Sequence, residues 1–178
     1  MTENEPIKTV SDGITFLSTG RYYDGINRWV CHKIKEIDKD AINYAARNMV
    51  KLIPFSNAVL VPVPGHTGVS SNALLLANAI ASYSDVLVAD ILRGKSRESN
   101  YLAKCKNHPL TESQMGFYSV KELPIDCVPI IIDNCVDTGT SAKAAYHALG
   151  NKGIVLAYAM SDRLLDDYSN SFRKALTL

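Results

Sequence analysis

The residues best suited to chemistry lie in one run, Asp133-Asn134-Cys135-Val136-Asp137-Thr138-Gly139-Thr140-Ser141, which follows three consecutive isoleucines and leads into a helical pattern. A strand that passes into a helix in this way presents free backbone N–H groups at the helix start. Gly139 lets an anion approach the backbone closely, and the hydroxyls of Thr138, Thr140 and Ser141 add donors, a set that suits a phosphate monoester. Just upstream, Asp133 and Asn134 have acceptor oxygens for the vicinal hydroxyls of a sugar. The plainer alternative is that Thr138 or Asp137 caps an ordinary helix.

Other phosphate-handling patterns fail on the same residues. The chain has no G-x-x-x-x-G-K-[ST] run and no G-x-G-x-x-G after a strand, so neither a P-loop nucleotidase nor a dinucleotide site is supported. An aspartyl-phosphate phosphatase needs acids two positions apart, whereas Asp133 and Asp137 are four apart. A second turn of interest, Pro64-Gly65-His66-Thr67-Gly68, ends the apolar run from Ala58 to Pro64.

Hydrophobic periodicity supplies the elements that must position these runs. Ile26, Trp29, Val30, Ile34 and Ile37, then Ile42, Ala45, Ala46, Met49, Val50 and Ile53, predict two amphipathic helices before Pro54. Strands are predicted at 58–64, 86–92, 128–133 and 154–159, with helices around Leu76 to Tyr83, at 140–149 and from about Arg163 to Leu176. Strands that are apolar on both faces and alternate with helices call for a parallel sheet covered on both sides, with ligands at the carboxyl ends of the strands. Residues 1–10 look loose. From Arg93 to about Tyr118 the periodicity fails over a length that usually marks a lid or disorder.

Composition bounds the rest. The 178 residues suit one domain, 1–178, and the 19 basic against 18 acidic residues leave no bulk field for nucleic acid or an anionic membrane. No apolar run is long enough to span a bilayer, and the polar, acidic start is unlike a signal peptide, so the expected location is cytoplasmic. The four cysteines, Cys31, Cys105, Cys127 and Cys135, lack metal-ligand spacing and read as free thiols. Within residues 93–106, Arg93, Lys95, Arg97, Lys104 and Lys106 outnumber Glu98, a local excess of positive charge in a near-neutral chain. A solvated loop is the ordinary explanation of such a run.

The stretch IIIDNCVDTGTSA resembles the phosphoribosyl-pyrophosphate (PRPP) motif of type I phosphoribosyltransferases: hydrophobic residues, an acidic pair, two hydrophobic residues and a D-T-G-T-like loop. Upstream, VPVPGH resembles the pyrophosphate loop of the ComF-like branch, preceded as there by a Y-x-G stretch, Tyr23-Asp24-Gly25. The resemblance covers about Tyr22 to Ala159. Four departures stand out: Asn134 replaces the second acid, Cys135 replaces an aliphatic residue, the arginine-rich R-G-F-N-Q stretch of ComF relatives is reduced to Val69-Ser70-Ser71-Asn72, and Ile154 to Asp162 lacks the base-reading Lys of 6-oxopurine members.

The resemblance implies a type I phosphoribosyltransferase-like fold: a central parallel sheet with helices on both faces, N-terminal helices and a flexible lid loop over 93–118. It implies transfer of a 5-phosphoribosyl group from PRPP to a nitrogenous, nucleobase-like acceptor, with pyrophosphate released and Mg²⁺ as cofactor. Pro64, Gly65, His66, Thr67 and Gly68 would hold pyrophosphate, Asp133 and Asn134 the ribose hydroxyls, and Thr138, Gly139, Thr140 and Ser141 the 5′-phosphate. Asp133 would meet the metal only through Mg-PRPP. Asp137 is the candidate general base, and Arg93 and Lys95 are the candidate lid cations. Tyr101, Phe117 and Tyr118 would either stack on a base or anchor the loop. The implied partners are PRPP and an unidentified acceptor, with no membrane and no direct nucleic-acid contact; a homodimer is compatible with the sequence. The rival from another class is a non-catalytic PRPP or nucleotide sensor, or a ComF-like DNA-uptake accessory protein. A flavodoxin-like domain with a capped turn is the plainest alternative.

Overall fold

The computed structural model describes residues 6–165, a mixed α/β fold built on a six-stranded sheet. The strands are β1 (Ile7–Ser11), β2 (Ile14–Ser18), β3 (Ala58–Pro62), β4 (Leu87–Val88), β7 (Val128–Val136) and β8 (Ile154–Met160), in the order β1-β2-β8-β7-β3-β4. All neighbours are parallel except β1, which returns antiparallel to β2. A separate two-stranded ribbon pairs β5 (Leu92–Arg93) with β6 (Tyr118–Ser119).

The apolar runs form central strands because both of their faces are covered. On one side α1 (Asn27–Lys35), α2 (Lys39–Met49) and α3 (Asn72–Ala81) pack Val30, Ile34, Ala45, Met49, Leu76 and Ile80 against Leu60, Ile130, Ile132 and Leu156. On the other, α6 (Thr140–Ala148) packs Ala142 and Ala145 with Phe16 against Val59, Val61, Ile131 and Val155. Successive residues of one strand thus serve opposite layers, as the pleat requires. The two helices expected before Pro54 are α1 and α2, and they divide at Asp38, whose side chain caps α2 by accepting from the Ala41 N–H at 2.9 Å.

Three expectations change. Residues 7–10 are not loose: with 14–18 they form a hairpin whose two-residue turn is Asp12-Gly13, both at positive φ (51° and 77°). Asp-Gly between apolar stretches is a strong hairpin signal, because both turn residues must adopt left-handed backbone. The strand expected over 86–92 divides into β4 and β5, because after Ala89 the chain turns out of the sheet; the Ile91 N–H bonds to the Ala89 carbonyl, and Arg93 reaches back to the Asp90 carboxylate at 3.0 Å. The segment 93–118 is not a bare loop. It leaves and rejoins the domain through the β5–β6 ribbon and contains α4 (Asn100–Cys105) and α5 (Glu112–Met115), with Ala103 and Met115 buried. Of the terminal helix expected over 163–176, only residues up to 165 are described; Asp162 to Leu165 are helical and Leu164 is buried. No helix among the described residues is long and apolar enough to cross a membrane.

Candidate functional site

The strand order reverses between β3 and β7: the chain runs from β3 outward to β4, then returns to the opposite side of β3 and continues through β7 to β8. In an open parallel sheet the crevice at such a reversal, beyond the carboxyl ends of the strands, is the natural ligand site. Both runs singled out from the sequence lie there. The Val63 N–H bonds to the Ile132 carbonyl at 3.0 Å, so the loop 64–68 leaves β3 beside the point where β7 reaches Asp133.

The loop 64–68 is a tight turn held by its own backbone. Gly65 N–H bonds to the Val69 carbonyl at 2.9 Å and Gly68 N–H to the Gly65 carbonyl at 3.1 Å. Pro64 and Gly68 are buried, whereas His66 and Thr67 are exposed at the mouth. Gly68 takes φ +85°, a left-handed conformation suited to glycine.

The second loop begins later than the sequence suggests, since β7 runs to Val136 and carries Asp133, Asn134 and Cys135 within the strand. Asp133 turns one carboxylate oxygen onto the N–H of Asn134 at 2.8 Å. Removal from bulk water pushes its carboxyl up to about 6, against the pull of that N–H and of Lys35. Asn134 faces α1: its amide donates to the Cys31 carbonyl at 3.5 Å, and the Cys31 thiol reaches the Asn134 carbonyl at 3.6 Å. An amide suits this place because it has a proton to give to a carbonyl, which a carboxylate lacks.

Gly139, at φ +81°, is the residue before α6, and among the described residues no side chain caps that helix. The expectation that Thr138 or Asp137 is an ordinary cap is therefore not met. The Thr138 and Thr140 hydroxyls instead bond to each other at 2.9 Å, and Ser141 accepts from Asn100 Nδ2 at 2.9 Å. A Cβ on Gly139 would press on Lys143, Leu164 and Phe16 at 3.3–3.4 Å.

Asp137 accepts from several donors. Ser161 Oγ donates to its Oδ1 at 2.7 Å, Arg163 Nη1 to its Oδ2 at 3.3 Å, and Lys104 Nζ forms an ion pair with Oδ2. Partial burial alone would raise this carboxyl; the donors from Lys104 and Ser161 and the charges of Lys104 and Arg163 outweigh it, so Asp137 titrates below the ordinary carboxylate range.

The 93–118 segment touches both loops. Gly94 N–H bonds to the Gly68 carbonyl at 2.9 Å, Arg97 N–H to the His66 carbonyl at 2.8 Å, and Arg97 Nη1 to the Gly65 carbonyl at 2.9 Å. Its contacts to Ser141 and Asp137 come from Asn100 and Lys104. The two cations favoured from the sequence are placed otherwise. Arg93 closes the turn with Asp90 and the Leu92 carbonyl, and the exposed Lys95 lays its stem along Gly116. Among the described residues neither side chain hydrogen-bonds to either loop. Arg97 and Lys104 do, and they were not distinguishable in the sequence from the other cations of the run. Arg97 also lies over the Phe117 ring, 5.1 Å from its centroid, and its buried Nε has no acceptor among the described residues. Phe117 is thereby an anchor of the segment, whereas Tyr101 and Tyr118 are exposed.

No group of three or more His, Cys, Asp or Glu that could hold a metal occurs among the described residues. Compared with known families and with curated proteins, the chain matches no family model and no curated sequence.

Proposed function

We propose that the chain is a phosphoribosyltransferase of the type I fold, binding PRPP across the carboxyl ends of β3 and β7 and transferring its 5-phosphoribosyl group to a nitrogenous acceptor. The observation that carries this reading is the meeting of three features at the reversal of strand order: a glycine turn after β3, a helix start without a side-chain cap after β7, and a basic segment bonded to both.

On this reading the backbone of 64–68 and the guanidinium of Arg97 receive pyrophosphate. Asp133 accepts from ribose hydroxyls, and the N–H groups and hydroxyls from Thr138 to Ser141 hold the 5′-phosphate. Mg²⁺ would be held by the phosphate oxygens of PRPP, and Asp133 would meet it only through Mg-PRPP. When bound, the ion would neutralise charge on the leaving group. As the C1–O bond breaks, its electron pair leaves with pyrophosphate, and the cationic C1 is then captured by the acceptor nitrogen. The nitrogen's proton passes to a pyrophosphate oxygen or to solvent. Catalysis is chiefly electrostatic and positional: fixed amides and Arg97 stabilise charge developing on pyrophosphate, and the 93–118 segment excludes water.

A second reading, a PRPP-binding sensor without turnover, is favoured by Asn134, whose amide is directed to the Cys31 carbonyl where the family has a second acid. Release of pyrophosphate from Mg-PRPP across a panel of purines, pyrimidines and small amines separates the two. Release that depends on one acceptor supports the enzyme; tight PRPP binding with no release for any acceptor supports the sensor.

A further inference from the structure

We propose that Asp137 is the anchor on which the 93–118 lid closes, with Lys104 the lid's half of the contact and Ser161 and Arg163 positioning residues that hold the anchor in place. The proposal rests on the phosphoribosyltransferase reading only for what the lid encloses.

The lid's side of the contact lies on α4. Asn100 and Lys104 are four residues apart and so share one face of the helix. That face meets the second loop twice, Asn100 on Ser141 at 2.9 Å and Lys104 on Asp137. The anchor itself belongs to the sheet side of the molecule. Ser161, which follows β8 and is buried, donates to Asp137 Oδ1 at 2.7 Å and in turn accepts from the Arg163 N–H at 3.2 Å. Arg163 Nη1 reaches Oδ2 at 3.3 Å. Each carboxylate oxygen is thus bonded in the closed molecule, and one bond at each comes from the 161–163 corner rather than from the lid.

This arrangement is poorly suited to proton abstraction. A general base needs an oxygen directed at the acceptor and an affinity for the proton near working pH. Here the neighbours hold Asp137 below the ordinary range, and its oxygens point at protein donors. The same arrangement suits a latch. An isolated, partly exposed ion pair contributes little, but this one acts with Asn100–Ser141 and with the two Arg97 bonds to loop 64–68, so closure is shared among contacts at both ends of the crevice. The opposite root of the lid is fixed by the β5–β6 ribbon, which leaves α4 as the part free to lift.

Hydrogen exchange followed by mass spectrometry on the full chain, without ligand, tests this through peptides covering 97–108, with peptides from β7 as the internal control. Lys104→Met is expected to raise exchange in 97–108 about tenfold while β7 stays protected; Lys104→Arg should restore wild-type exchange. Asp137→Asn reaches the same unlatched state from the other partner, and the double variant should exchange no faster than either single one. Unchanged exchange in Lys104→Met, failure of Lys104→Arg to rescue, or fully additive effects in the double variant would overturn the anchor. Should Lys104→Met also expose β7, Asp137→Asn decides by the same criteria. A parallel run with Mg-PRPP separates the two claims. Latch behaviour as expected with no effect of PRPP sustains the anchor and removes the transferase reading; protection by PRPP with no effect of the variants does the reverse.

Discussion

Gly94 donates its N–H to the carbonyl of Gly68 at 2.9 Å, and the two backbones lie so close that a Cβ on Gly68 would stand 2.2 Å from the Gly94 carbonyl oxygen. The start of the 93–118 segment is therefore built onto the end of the 64–68 loop, backbone against backbone, and the φ of +85° at Gly68 is part of the same joint. Whatever displaces one element displaces the other.

Gly68→Ala is expected to destabilise the fold by about 2–3 kcal/mol, combining left-handed strain with a contact that only backbone movement can relieve. In a domain of this size that lowers Tm by very roughly 5–10 °C. Gly65→Ala is the control: its added Cβ would find its nearest neighbour at an ordinary 3.5 Å, and Gly65 is not left-handed. Thermal unfolding of the two variants should separate them clearly, and equal losses would contradict the joint.

The lid cations should divide by role. Arg97→Met is expected to weaken pyrophosphate and PRPP binding about tenfold or more, the usual scale for a lost hydrogen bond to a charged group. Arg93→Met should leave affinity unchanged and cost the fold at most about 1 kcal/mol through the partly exposed Asp90 pair. Calorimetric titration with pyrophosphate measures both. Equal losses of affinity in the two variants would return Arg93 to the site.

Asp133 and Asp137 should give opposite slopes of stability against pH. Asp133 has a folded value raised to about 6, so between the unfolded carboxylate range near 4 and about 6 the native state binds the extra proton, and stability falls as pH rises. Asp137 is depressed, so its contribution is present above the unfolded value and is lost only on acidification through its folded value. Asp133→Asn is expected to stabilise the ligand-free protein at pH 7 to 8 while removing affinity for ribose 5-phosphate. Urea unfolding between pH 4 and 8 checks the first part; a variant less stable than the parent at pH 7.5 would contradict it.

The parts legible in the sequence are those fixed by local pattern. Alternating demands on both faces made β3, β7 and β8 readable as buried strands, and helical spacing made α1 and α2 readable up to the Asp38 cap. Asp133 to Ser141 was readable as the loop after a strand, although its first four residues belong to β7. What escaped depends on contacts distant in sequence. The β1–β2 hairpin had its Asp12-Gly13 signal but is held to the sheet through β8. The selection of Arg97 over Arg93 follows from the turn at Asp90 and from the bonds to Gly65 and His66, neither of which has a periodicity. Asp137 looked like a free carboxylate because Lys104 and Ser161 lie 33 and 24 residues away in the chain.

On the proposed reading one crevice, between loops 64–68 and 137–141, binds PRPP. The most direct measurement of that binding is calorimetric titration of Mg-PRPP into the native protein and into Gly139→Val, whose branched side chain would press on Lys143, Leu164 and Phe16 from a left-handed position. The account predicts saturable binding to the native protein, accompanied at a hundredfold excess over Kd by about 2.7 kcal/mol of added stability, and loss of both in Gly139→Val although that variant still unfolds cooperatively. No heat and no stabilisation with the native protein, or equal binding to Gly139→Val, would contradict it.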